Sequence, residues 1–491
     1  MHGHRGMYVF ARVELLTLFL GQWCTNNRAI FAAGVSLYGG RVLSTGKRKA
    51  IIRTPLLIAL PVLLFCSQCQ QFLWWSSSAP PAIEAGTSQV DWAHYHNYTE
   101  IVDILLRLNA TFPTLVDVFS IGRSWQNRTI YCVRLTNENR SQAKPETLYV
   151  GFHHARERIS AELPLYFVVY AAEEYDTNAT VRRLLDHTAI YVIVALNVDG
   201  FDAVDANEWH RKTVRPIDED GDGSVDEDAP EDADGDGHIE DLGRWDGAEW
   251  VSMRFEGVDN DGDGVINEDW AGGVDINRNY GYQWSAPCWS GSANRSDEDY
   301  RGPQEFSEPE TRAIRDLVQD HRFRYAVSFH SGDVYILYPW GYTTTPTADD
   351  RTFKEIADDL SVLVDAPAGQ AGEWYTTSGS WDDWMYGDQG VLSFTCEIYG
   401  NNSAFEYEPS DVENCSWRKG VTRFFNPPAA QIETVVRRWM PVFFYLSEKA
   451  IPTDITFFGV DWKIWVIAAA VGGAAASAIV LLRRRTRRVQ A

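Results

Sequence analysis

Gly151-Phe152-His153-His154-Ala155-Arg156-Glu157 is the stretch whose reading decides the rest of this chain. An apolar, β-branched run over 147–152 leads into it and reads as a buried strand, and an apolar-periodic run over 159–172 follows and reads as a helix. His154 and Glu157 therefore stand where a strand stops. An imidazole and a carboxylate at this spacing on a strand-end turn can both reach one zinc ion if a third ligand arrives from elsewhere. Alone the spacing is weak evidence, because helices and loops carry H-x-x-E by chance.

Working outward, apolar runs of strand and helix type alternate. Strands are expected over 115–121, 129–135, 190–196, 325–329 and 391–395, and helices over 101–108, 181–187, 353–364 and, closing the chain's globular part, 435–446. Such alternation implies an α/β fold, a largely parallel sheet flanked by helices, in which ligands bind at the carboxyl ends of strands. A second strand end carries His330-Ser331-Gly332, and the strand over 391–395 delivers Glu397.

Between these runs the composition changes abruptly. Over 216–272 three copies of D-x-D-x-D-G occur, beginning at Asp218, Asp232 and Asp259. Carboxylates at alternate positions (Asp218, Asp220, Asp222; Asp232, Asp234, Asp236; Asp259, Asp261, Asp263), then a glycine that permits a sharp turn, form an oxygen cage suited to calcium. Asp226, Glu240 and Asn267 stand at the ninth positions and offer further oxygens. None of the three has the twelfth-position glutamate of an EF-hand, so short structural calcium loops are expected, with a solvated acidic insertion as the alternative.

A chain of 491 residues that is 45% hydrophobic holds one large domain, expected over 92–450, with flanking segments. The formal charge of −24 excludes nucleic acid as a main partner, since phosphate binding needs a basic footprint. Residues 1–46 fit no part of this scheme, and translation is expected to begin near Val42 or Leu43. A basic cluster and short apolar core over 47–75 read as an export signal, 76–91 as a spacer, 464–482 as a transmembrane helix, and 483–491 as a basic cytoplasmic tail. The enzyme-sized domain would then lie outside the cell membrane. Sequons at Asn97, Asn109, Asn127, Asn139, Asn178, Asn294, Asn401 and Asn414 suit a secreted surface. Of the cysteines in the exported part, Cys132 and Cys396 sit in strand-like runs as buried thiols; Cys288 and Cys415 lie in polar stretches and could pair.

His154-Ala155-Arg156-Glu157, Asn277-Arg278-Asn279, His330-Ser331, Tyr375 and Glu397 resemble, in order and approximate spacing, the zinc carboxypeptidases of the carboxypeptidase A/B type. The resemblance covers about 92–450, interrupted by the acidic insertion. It implies an α/β fold with a mixed, mostly parallel sheet of eight-stranded type. It also implies His154, Glu157 and His330 as ligands of one catalytic zinc, with a position left for water, and Glu397 as general base. Arg211 matches the arginine that stabilises the oxyanion, although His210 intervenes between it and Trp209, and Lys212 is the fallback. Asn277 and Arg278 resemble the clamp for a terminal carboxylate, Tyr375 the tyrosine that covers the terminal residue, and Arg156 an outer-subsite contact.

Asp382 stands seven residues after Tyr375. Carboxypeptidase B-like enzymes carry an aspartate there and A-like enzymes an apolar residue, so the resemblance implies a preference for Lys or Arg at the C-terminus of peptide and protein substrates. In the alternative, Asp383 is structural and Asp382 faces solvent. No folded pro-segment is expected before Trp92, and no appended β-sandwich after the closing helix. Rival readings are a peptidase of cell-wall or conjugated peptides, and a calcium-stiffened surface binding protein without activity.

Overall fold

The strand that feeds the His154 turn lies in the interior of an eight-stranded sheet. The computed structural model describes residues 90–452, apart from 220, 248–249, 261, 263, 268 and 270–271, together with the backbone of Thr456–Phe457 and Val460–Asp461. All of these belong to the unit Ala82–Ala491. The leader, the export signal, most of the spacer, the 464–482 span and the basic tail lie outside the described residues, as do the calcium candidates Asp220, Asp261 and Asp263. Among the described residues no helix is long and apolar enough to cross a membrane.

The strands of the two larger sheets, in chain order, are β1 (Val116–Arg123), β2 (Thr129–Leu135), β3 (Glu146–Val150), β4 (Ala189–Ile193), β5 (Asp241–Trp245), β6 (Trp250–Phe255), β7 (Phe323–His330), β8 (Asp333–Tyr338), β9 (Ala368–Gln370), β10 (Leu392–Tyr399), β11 (Glu406–Pro409) and β12 (Ser416–Lys419). The main sheet runs β1-β2-β4-β3-β7-β10-β8-β9. Its centre is parallel, since β3 pairs in parallel with β4 and β7, and β7 with β10. The β1–β2, β2–β4 and β8–β10 pairings are antiparallel, so the sheet is mixed. Strands β3 and β4 are buried or nearly so at every position, as their unbroken apolar runs require. Helices cover them. Helix Ile159–Glu173 is largely apolar and buried from Ile159 to Ala172, with the buried Glu162 carboxylate 2.9 Å from His96 Nδ1. Behind the sheet, Tyr149 of β3 donates its hydroxyl to the Phe443 carbonyl at 3.2 Å and meets Ser447 Oγ at 2.9 Å.

Three differences from the sequence reading have physical causes. The single closing helix expected over 435–446 is two, Ile432–Trp439 and Pro441–Ala450, because Pro441 lacks an N–H to continue a ladder and instead starts a new first turn. The acidic insertion is more than loops: β5 and β6 form a hairpin that joins β11 and β12 in a four-stranded antiparallel sheet, ordered β11-β12-β5-β6. Finally, the four cysteines among the described residues are free thiols. Cys288 contacts the Tyr342 carbonyl at 3.7 Å, whereas Cys415 lies beside β12 with its sulfur 3.4 Å from that of Met253, so the two have different neighbourhoods and do not pair.

Gly151 sets the exit of β3 toward the functional turn. A Cβ there would lie 2.3 Å from the Ser160 carbonyl oxygen and 2.7 Å from that of Val194. The Ser160 carbonyl has no helical donor four residues on, because residue 164 is proline, and it comes close to the strand end instead. Replacing Gly151 with Ala should destabilise the protein by about 1–3 kcal/mol, read from the urea midpoint, because neither backbone oxygen can move freely. An unchanged midpoint would show that the strand end tolerates what this packing forbids.

Candidate active site

Strands β3, β7 and β10 are adjacent and parallel around β7, so their carboxyl ends open on one side. The His154 turn follows β3, His330 ends β7, and Glu397 faces His330 in the β7–β10 register. The sheet thus gathers residues that are more than a hundred positions apart. His154 Nδ1 lies 2.7 Å from Glu157 Oε1, and His330 Nδ1 lies 3.0 Å from Glu157 Oε2 and 3.1 Å from His154 Nδ1. All three side chains are buried. Two imidazole nitrogens and a carboxylate converging within such distances form a group that can hold a metal ion.

Asp275 organises this cluster, and the sequence reading missed it. Its carboxylate meets His154 Nε2 at 3.2 Å, accepts from Arg211 at 2.9 and 3.0 Å, and accepts the Asn277 backbone N–H at 2.9 Å. The residue is fully buried. A carboxylate on the far nitrogen of a metal-binding histidine fixes its tautomer and orientation. The signal for it was present, since Asp275 stands two residues before Asn277, but an acidic residue just after an acidic insertion drew no notice.

Electrostatics follow the geometry. Burial alone would raise the Glu157 carboxyl, but His154 and His330 hold it well below the usual carboxylate range. Burial likewise opposes ionisation of Asp275, and Arg211, His154 and Arg278 reverse that and keep it charged. His330 has its pKa raised, because Glu157 outweighs burial. Glu397 is pushed up to about 8, by burial and by the Glu157 charge against the pull of His330 and Arg211. Its Oε2 atom is buried and has no hydrogen-bond partner among the described residues. A carboxylate left unpaired beside this cluster suits a group that takes up and returns protons.

A cavity of about 240 Å³ opens over the cluster, lined by His154, Glu157, Arg211, Asn277, Arg278, His330, Tyr375, Asp382 and Glu397. Arg211 therefore faces the site, while the fallback Lys212 is buried with Glu219 at 3.0 Å and the Arg295 carbonyl at 3.1 Å. Arg278 is buried, with Nε donating to Ser290 Oγ at 2.9 Å. Asn277 Oδ1 accepts from the Trp381 backbone at 2.9 Å. Tyr375 is 41% exposed at the rim, its ring edge-on to Trp289 with centroids 5.2 Å apart. The neighbouring aspartates separate by role: Asp383 accepts the N–H groups of Gly341 and Tyr342 at 2.7 and 2.9 Å, whereas Asp382 lines the cavity.

Arg156 is placed differently. It is not among the cavity-lining residues. Glu298 holds its guanidinium at 2.9 and 3.0 Å, the Trp209 carbonyl accepts at 3.1 Å, and Phe425 stacks beneath it. Among the calcium candidates, Asp218, Asp232 and Asp259 each accept backbone N–H groups from the two glycines of their own loop. Asp236 and Glu240 are instead paired with Lys419, at 2.6 and 3.5 Å. The carboxylate that joins Asp232 and Asp234 is Glu256, on the hairpin, not Glu240. Asp226 accepts from the Gly272 N–H at 2.7 Å, and Asn267 donates to the Phe255 carbonyl at 2.7 Å. Asp222 stands in the first loop with its side chain accepting from Ser224 N at 2.6 Å.

Replacing Asp275 with Asn should weaken zinc binding by about 10–100-fold, since it removes the charge that orients His154 and anchors Arg211. Competition against a chromophoric chelator reads that loss, and unchanged affinity would remove Asp275 from the site.

Comparison with known proteins gives one consistent result. The zinc carboxypeptidase family profile matches residues 101–441. Carboxypeptidase A6 of Mus musculus is 28% identical over 323 residues, covering 63% of this chain and 61% of that protein. A zinc carboxypeptidase of Saccharothrix mutabilis subsp. capreolus is 25% identical over 336 residues, 65% of each chain. Carboxypeptidase B of Astacus astacus is 27% identical over 322 residues, 63% of this chain and 88% of its own. The chain thus spans under two thirds of the length of the first two relatives. Among solved structures, thrombin-activatable fibrinolysis inhibitor shares the fold with a TM-score of 0.55 at 20% identity, covering 75% of this chain and 78% of that one.

Proposed function

From the premise that this chain belongs to the zinc carboxypeptidase family, we propose that it is a metallocarboxypeptidase that hydrolyses the C-terminal peptide bond of peptides and proteins. The convergence of His154 Nδ1, His330 Nδ1 and the Glu157 carboxylate carries this reading, because it supplies the three protein ligands of a catalytic zinc site. Zinc, when bound, supplies a Lewis acid that polarises the scissile carbonyl and makes water a competent nucleophile near neutral pH. Glu397 takes the proton from that water and returns it to the leaving amine. Arg211, on the same cavity wall, faces the negative charge that develops on the carbonyl oxygen. Arg278 and Asn277 bind the terminal carboxylate, and Tyr375 closes over the terminal residue.

Asp382 supports a preference for basic C-terminal residues. It lines the cavity, while Asp383 is occupied with backbone N–H groups. A lysine or arginine side chain entering the pocket would meet a carboxylate that accepts the Asp383 backbone N–H at 3.1 Å but has no cation beside it among the described residues, whereas an apolar one would leave that charge buried without a counter-ion. Relatives named carboxypeptidase A and carboxypeptidase B occur alike, so this preference rests on the pocket alone.

The D-x-D-x-D-G loops are proposed as structural calcium loops, supported by the repeated wrapping of each first aspartate around its own glycines and by the Asp232, Asp234 and Glu256 group. Export and anchoring in the cell membrane with the catalytic domain outside are likewise proposed, from the apolar stretches and basic flanks of the sequence. Each of the eight sequon asparagines is exposed or half-buried, as glycosylation would need.

Two outcomes test this reading. Purified protein in calcium should release C-terminal Arg from peptides well ahead of Phe or Glu, and a zinc chelator should stop it; release of Phe first would discard the role of Asp382 and keep the reaction. Replacing Glu397 with Gln should lower kcat by at least about 100–10,000-fold with zinc still bound, and retained turnover would sink the mechanism.

A further inference from the structure

The histidine beside the first zinc ligand has no place in the reaction just described, yet it is tied into the site. His153 Nδ1 lies 2.9 Å from Ser328 Oγ, and the same hydroxyl lies 2.9 Å from His330 Nε2. On its other side His153 Nε2 meets the Tyr280 hydroxyl at 3.0 Å. His153, Ser328, His330 and Tyr280 are all buried, with no more than 1% of any of them exposed. The His153 and His330 rings stack with centroids 5.3 Å apart, and Trp381 stands edge-on to His153 at 5.8 Å.

The protons in this row have one arrangement that suits a metal. His330 directs Nδ1 at the group formed with His154 and Glu157, so a lone pair is needed on Nδ1 and the proton must sit on Nε2. That N–H donates to Ser328 Oγ. The serine's single hydrogen then turns to its other neighbour, His153 Nδ1, which must be bare to accept it. His153 accordingly carries its proton on Nε2 and donates to Tyr280. Were the row reversed, a proton would stand on His330 Nδ1 where the metal belongs. The remaining polar neighbour of His330 Nε2 is the Asn277 amide nitrogen at 3.5 Å, a donor and therefore no acceptor for the Nε2 proton.

Resting on the zinc reading above, we propose that His153 is a positioning residue for the metal site: through Ser328 it fixes the tautomer and ring orientation of His330, as Asp275 does directly for His154. The two histidine ligands are thus held by different chemistry, one by a charged carboxylate and one by a neutral serine–histidine row. A neutral row orients His330 without adding a third negative charge to a cluster that already holds Glu157 and Asp275.

The test measures zinc affinity of the full chain by chelator competition, with thermal unfolding of the metal-free protein alongside. Replacing Ser328 with Ala, or His153 with Leu, should weaken zinc binding by about 10–100-fold. His153→Asn, whose side-chain oxygen falls near the position of Nδ1 and can accept the serine proton, should keep affinity within about threefold of the parent. A purely packing role for His153 would instead lower metal-free stability and leave zinc affinity unmoved in both His153→Leu and Ser328→Ala, and that result would overturn the proposal. Should His153→Leu fail to fold, Ser328→Ala decides alone by the same criterion. A parent protein that binds one zinc tightly yet hydrolyses no peptide would sink the carboxypeptidase reading while leaving the affinity comparison intact.

Discussion

The structure depends on a cluster of buried charge at the ends of three parallel strands. Glu157 and Asp275 are both removed from water and both held well below the usual carboxylate range, and among the described residues Arg211 is the full positive charge in direct contact with the pair, at 2.9 Å from Asp275 and 3.7 Å from Glu157. Isolated carboxylates in such surroundings would be protonated or would unfold the site. A divalent cation, were it held by His154, Glu157 and His330, would more than offset the remaining negative charge. Much of the local architecture reads as support for that arrangement, from the glycine that lets β3 end against Ser160 to the hydrogen bonds that aim each histidine.

Support differs across the site in a way that fits the demands on each part. The ligands sit on strand ends and one tight turn, where packing leaves little freedom. Tyr375 is exposed at the rim with its ring against Trp289, so it can move without disturbing the sheet. Between these extremes the pocket aspartate stands in the first turn of the short helix Trp381–Gly387, and Asp383 beside it pins that turn to Gly341 and Tyr342. Fixing the helix in this way holds Asp382 against the cavity.

What the sequence displayed best was whatever repeats or alternates. Continuous apolar runs marked β3, β4, β7 and β10, and the family resemblance located His154, Glu157, His330, Arg211 and Glu397, all of which line the same cavity. Asp275 was hidden because its partners, His154 and Arg211, are 121 and 64 positions away. The β5–β6 hairpin was hidden because an acidic composition masks a strand whose pairing lies with β12, far along the chain. Glu256 replaces Glu240 beside Asp232 and Asp234 for the same reason: the hairpin, not the loop's own ninth position, brings the carboxylate there. The ion pairs of Lys419 with Asp236 and Glu240 also depend on that sheet, and loop spacing gives no sign of them. Arg156 shows the converse, a residue in the right motif whose guanidinium is taken up by Glu298.

The most direct test of the central claim is anomalous diffraction at the zinc absorption edge from crystals of the zinc-loaded protein. One strong peak is expected, coordinated by His154 Nδ1, His330 Nδ1 and the Glu157 carboxylate, with Glu397 free of the ion. A site empty of zinc in loaded protein, or a peak found only among Asp232, Asp234 and Glu256, would contradict it.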